Sequence, residues 1–207
     1  MKDVLLIILG WLLGLLSPLF TSLISRRNRK RETQKIIIEE LKDIKIRLTL
    51  MAYQIRCRLG SVDKDLLIWV RDQASGYDGY EELSEMKADF IKQDFDDPAK
   101  LRPLLSKLNE SDGVSSSFSE ITADIIDSNY VNLAILPRGF YVKLLEIKFQ
   151  LGVLNYEGRS SNEYLRMTFD SSLSATNRSI VEQELINKAT RISRKSILIV
   201  KKINLVV

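Results

Sequence analysis

Between Val4 and Ile24 the chain reads VLLIILGWLLGLLSPLFTSLI, 21 successive residues without a charge and without any polar face. As a helix this run rises about 30 Å, the hydrocarbon thickness of a bilayer. A core helix of a water-exposed domain does not stay apolar all round for six turns. The run therefore predicts an N-terminal transmembrane helix, span 4–24 of an anchor at 1–25. The pattern changes at ETQKIIIEELKDIKIRLTLMAYQIRCRLG, where Ile37, Leu41, Ile44, Leu48, Met51 and Ile55 alternate at spacings of four and three. That spacing predicts a long helix ending at Gly60, with these six residues as its packing seam. Fewer than three full heptads is short for a free-standing coiled coil, so the expected partner is an intramolecular bundle.

Further on, SVDKDLLIWVRDQAS predicts a helix with Ser61 as N-cap and Leu66, Leu67, Trp69 and Val70 as apolar anchors. GYDG at 76–79 reads as a turn, and YEELSEMKADFIKQDF as a helix with Leu83, Met86 and Phe90 inward. Asp96-Asp97-Pro98 ends it and opens PAKLRPLLSKLN, where Pro98 suits the first turn and Pro103 shortens or bends the element. Residues 110–120, ESDGVSSSFSE, lack periodicity and predict a flexible Ser-rich loop. SEITADIIDSNYVNLAIL follows and is stopped by Pro137. RGFYVKLLEIKFQLGVLNYEG then shows helical spacing, residues 158–176 read as polar and irregular, and Asn177 is the expected cap of a last helix. That helix carries Val181, Leu185, Ile192 and Ile199 inward. Its last eleven residues are rich in β-branched types and are compatible with helix or strand. No hairpin signal occurs, so the expected fold is an all-α helical bundle over 32–207 behind a single membrane helix.

Charge adds orientation. Arg26, Arg27, Arg29, Lys30 and Arg31 put five positive charges into six residues directly after the apolar run, whereas residues 32–207 hold 25 basic against 26 acidic side chains. The formal net charge of +4 thus resides in one juxtamembrane block, 26–31, and the partner it implies is anionic lipid headgroups rather than nucleic acid. By the positive-inside rule the N-terminus lies outside and the C-terminal domain faces the cytoplasm, in the cell (inner) membrane. A basic block after the apolar run, with no Ala-x-Ala behind it, makes the segment an uncleaved signal-anchor rather than a secretory leader. Within the span, Gly10, Gly14, Ser17 and Thr21 place small residues on one helix face, a pattern for transmembrane helix association. In a straight helix that strip lies opposite the seam. Two further blocks, acidic at 78–97 and basic at 178–202, either pair with each other or are separately solvated.

The catalytic inventory is thin. The chain has no histidine, which excludes Ser-His-Asp and Cys-His machinery and the commonest zinc ligand. Cys57 is the single cysteine, so no internal disulfide forms, and its expected role is a small apolar filler. No phosphate-binding glycine motif is present. Asp94, Asp96 and Asp97 form the one tight carboxylate cluster, read as a helix end and turn ahead of a metal site. The expectation is no catalytic residue, no cofactor and no metal. In layout alone the chain resembles small bacterial membrane proteins with one N-terminal anchor, a basic stop and a helical cytoplasmic domain, some of which act in stress or anti-phage responses. The leading expectation is a non-enzymatic anchored domain for protein interaction or ligand sensing. The alternatives are a membrane-acting effector that self-assembles through its span and, behind it, a metal-dependent hydrolase.

Overall fold

The computed structural model describes residues 2–75, 77, 95–110, 117–128, 133 and 135–207, leaving aside the side chains of 2–10, 12, 13, 15–17 and 19. Among the described residues six helices follow in order: α1 (Lys2–Arg58), α2 (Lys64–Ser75), α3 (Pro98–Leu108), α4 (Asp124–Ser128), α5 (Arg138–Thr168) and α6 (Ala175–Ile203). The described residues contain no strand. The chain is all-helical, and the β-branched C-terminus continues α6 to Ile203.

Helix α1 is unbroken for 57 residues, a rod of about 85 Å. It passes through Pro18 and through the basic block without interruption. It stops where Gly60 takes φ 58°, a left-handed conformation open to glycine at no steric cost. There the Ser61 N–H donates to the Arg56 carbonyl at 2.9 Å and the Gly60 N–H to that of Cys57 at 3.0 Å, the paired bonds of a Schellman cap. Ser61 is consequently absorbed by this cap, and the N-cap of α2 is Asp63, whose carboxylate accepts from the Leu66 N–H at 2.7 Å. This corrects the expected cap by two residues.

The core has two parts. The larger joins the seam of α1 to Ile121, Ile126, Leu133 and Leu136, to Leu144, Ile147, Leu151 and Leu154 of α5, and to Ile192, Ile199 and Ile203 of α6. Five of the six seam residues are buried and Met51 packs against them half-buried. The seam thus faces the chain's own bundle. Helix α6 is the central element, packed on both α1 and α5. It runs antiparallel to α5, with Lys202 bonded to Glu146 at one end and Arg191 3.7 Å from Glu157 further along. A smaller core of Val62, Leu66, Leu67, Val70 and Phe95 sits under α2 and α3, with Cys57 at its edge.

Two elements differ from the sequence reading. Helix α5 continues to Thr168, through the stretch expected to be irregular, because Gly158 and Ser161 are buried on its inner face. The cap of α6 is Ser174, which accepts from the Asn177 N–H at 3.3 Å, so Asn177 is the donor and not the cap. The predicted turn 76–79 and the helix 80–95 lie outside the described residues, apart from Tyr77 and Phe95.

Among the described residues no helix is long and apolar enough to cross a membrane. Most of the 4–24 run lies outside those whose side chains are described, so the bilayer span is left without structural support.

Candidate functional site

Residues 20–29 of α1 are all exposed, ahead of the point at Ile37 where the helix enters the core. The apolar side chains described in the N-terminal run are largely exposed: Trp11 is 69% exposed and Leu23 62%. Gly14 is open, with nothing within 4 Å of where a methyl group would stand, and Thr21 is exposed beside it in the small-residue strip. Gly10 and Ser17 belong to the same strip by spacing.

The helical rotation of about 100° per residue divides the basic block. Arg26 and Arg29 share a face with Ser22, Ser25 and Thr33, whereas Arg27 and Arg31 point the other way and Lys30 lies to the side. The first face lines an open cleft of ≈ 690 Å³ that Ile36 and Ile135, just ahead of α5, also line. Glu32 also lines it. Among the described residues neither Arg26 nor Arg29 makes an ion pair.

The domain presents a second feature on α5. Val142, Leu145, Phe149 and Tyr156 recur at heptad spacing, with Gly152 completing the row, and lie opposite the buried Leu144, Ile147, Leu151 and Leu154. Phe149 is 68% and Tyr156 67% exposed, and a methyl group built on Gly152 would meet nothing within 4 Å. Helix α6 offers no comparable row; Arg191, Arg194 and Lys201 dominate its outer side.

A further segment, 117–121, is held to α5 by amide side chains. Asn155 and Asn162, two turns apart on α5, each grip one residue of 117–121. The Ile121 N–H donates to Asn155 Oδ1 at 3.0 Å while Asn155 Nδ2 donates to the Ile121 carbonyl at 2.9 Å. Asn162 does the same for Phe118, at 2.7 and 2.9 Å. Seven helical residues and three extended ones both span about 10 Å, so the two repeats match. Asn109 clamps Val62 in the same manner at 2.8 and 3.0 Å. The C-terminal end of the Ser-rich loop is thereby fixed to α5; residues 111–116 lie outside the described set.

Glu40 is the functional-looking group that spacing does not reveal. Its carboxylate reaches across to the start of α4 and accepts from the Ile125 and Ile126 N–H groups at 2.6 and 2.9 Å. Burial pushes its pKa up, with Asp124 and Asp127 adding to the rise, against the lowering by these two bonds. The group is a long-range cap, and nothing in the local sequence distinguishes it from Glu39.

The remaining candidates are accounted for structurally. Asp96 accepts from Lys64 at 2.7 Å, and Lys64 holds its carboxyl below the usual range. Asp97 caps α3 through the Ala99 N–H at 2.9 Å. Asp94 lies outside the described residues, among which no group of three or more potential ligands could hold a metal ion. Burial raises the Cys57 thiol, which keeps it protonated and poorly nucleophilic. Lys188 and Arg191, from the basic 178–202 block, approach Glu157 of α5. The acidic block lies mostly outside the described residues.

No protein-family model matches the chain, and no curated protein and no solved structure is significantly similar to it.

Proposed function

We propose that the chain is a non-enzymatic, single-pass membrane protein whose helical cytoplasmic domain binds another protein through the outer face of α5. The row of Val142, Leu145, Phe149 and Tyr156 carries this reading, because an apolar heptad face of several large side chains is costly to leave in water. The 21-residue apolar run supplies the anchor, and the basic block after it sets the cytoplasmic orientation. Continuity of α1 from Lys2 to Arg58 supports a reading in which anchor and domain share one helix. The block draws the membrane-proximal turn toward anionic lipid by about 1 kcal/mol per charge.

The test is affinity capture of the full chain from detergent-solubilised membranes, comparing wild type with Phe149→Glu/Tyr156→Glu. Loss of a stoichiometric companion with an unchanged unfolding midpoint supports the reading. An identical set of companions for both chains counts against it. Orientation is checked with a reporter fused after Val207, expected to be shielded in intact cells.

A second reading has its own observation. At Gly14 an added methyl group would meet nothing within 4 Å, which suits the close approach of a neighbouring span that a self-assembling, membrane-acting effector requires. Gly10→Ile with Gly14→Ile then abolishes self-association in the bilayer; in the interaction-domain reading it changes nothing.

A further inference from the structure

We infer that Arg26 and Arg29 form a specific site for the phosphate ester of an acidic phospholipid headgroup, in the cleft they share with Ser22, Ser25, Thr33 and Ile135. This rests on the membrane-anchored reading and narrows it from a diffuse basic collar to two named guanidinium groups.

One turn apart on one face, the two guanidinium groups present forked donors to the same space, which Ser25 and Thr33 also line. Among the described residues neither arginine is neutralised by an ion pair. The volume of ≈ 690 Å³ suits a small polar group, within the range of ligand clefts. Glu32 leaves the cleft with one net positive charge, matching a phosphodiester better than a polyanion. Its position is equally telling: Ser22 lies two residues before the last residue of the apolar run, and Thr33 nine residues after it. Arg26 and Arg29, two and five residues after Ile24, stand about 3 and 7.5 Å beyond it, at headgroup depth when 4–24 spans the bilayer. Arg27 and Arg31, of equal charge but opposite facing, line no part of the cleft.

This asymmetry makes the proposal testable with charge-matched variants. R26Q/R29Q and R27Q/R31Q each remove two positive charges, so topology and diffuse attraction change equally, and glutamine preserves helix propensity. The full chain is purified in non-ionic detergent and its retained phospholipid is quantified by mass spectrometry. Each chain is then titrated with dihexanoyl phosphatidylglycerol, dihexanoyl phosphatidylcholine and inorganic phosphate. The expected result is preferential, saturable binding of phosphatidylglycerol, weakened about tenfold or more in R26Q/R29Q and less than about twofold in R27Q/R31Q. Equal weakening in both variants overturns the site in favour of a diffuse field. Inorganic phosphate binding as tightly as phosphatidylglycerol overturns the lipid assignment and makes a soluble phosphate ester the ligand. Carbonate washing of membranes separates the failures: release of the wild-type chain sinks the anchor reading itself, whereas retention with equal variants sinks the cleft alone.

Discussion

The two halves of α1 are built from similar apolar side chains and meet opposite fates. In the second half, Ile37, Leu41, Ile44 and Leu48 are buried in one core with residues of α5 and α6 and with Ile121, Ile126, Leu133 and Leu136. In the first, Trp11, Phe20, Leu23 and Ile24 are more than half exposed on the same uninterrupted helix. The difference lies in pattern. A seam at three-four spacing has one oily face and can be satisfied by neighbouring helices, while a run that is oily on every side cannot be covered by a bundle packed on one side. The first half needs a surrounding apolar medium; the second needs partners of defined shape.

The sharpest way to break this contrast is one truncation in each half. Leu41→Ala should destabilise the domain by about 2–5 kcal/mol, the cost of a cavity at a fully buried leucine, measured by denaturant unfolding. Leu23→Ala should leave that unfolding transition unmoved. Equal effects would mean that the first half packs on the domain after all.

Glu40→Ala comes next, at about 2–3 kcal/mol, because it strands the Ile125 and Ile126 N–H groups that the carboxylate satisfies. Asn155→Ala or Asn162→Ala should each cost about 1–2 kcal/mol and raise amide hydrogen exchange at Ile121 or Phe118 respectively. Were exchange unaffected, the 117–121 segment would be held by its apolar side chains alone.

A smaller effect is set by pH. With its pKa raised, Glu40 binds more protons folded than unfolded at pH values between its ordinary 4.5 and the folded value. Its contribution to stability therefore rises as pH falls through that window, and is level below it. Glu40→Gln should remove this gain, seen as a flatter dependence of the unfolding midpoint on pH. Smallest of all is Lys64→Ala, since its partner Asp96 is fully exposed and solvent screens the pair. No detectable change in the midpoint is expected.

Several features were legible along the chain itself. The seam, the long first helix, its stop at Gly60 and the first-turn role of Pro98 all follow from local periodicity and backbone restrictions. The caps at Asp63 and Ser174 lie two or three positions from the expected ones, because Ser, Asp and Asn compete for a helix start on nearly equal terms. The extension of α5 through 158–168 was hidden because its inner face uses Gly158 and Ser161, which carry no hydrophobic signal. Gly158 sits where Phe118 approaches, its added methyl 3.5 Å from the Phe118 Cβ.

What the sequence alone determined is the apolar run, the place of the basic block and the helical periodicity, since each depends on residues close together in the chain. Tertiary structure decided which of the five basic residues share a cleft, which heptad row on α5 stays outside, and that Glu40 and three asparagines pin distant backbone. Those outcomes depend on where separate helices come to lie. Hydrogen bonds across 44 and 85 positions, such as Phe118 to Asn162 and Ile125 to Glu40, leave no trace in local spacing.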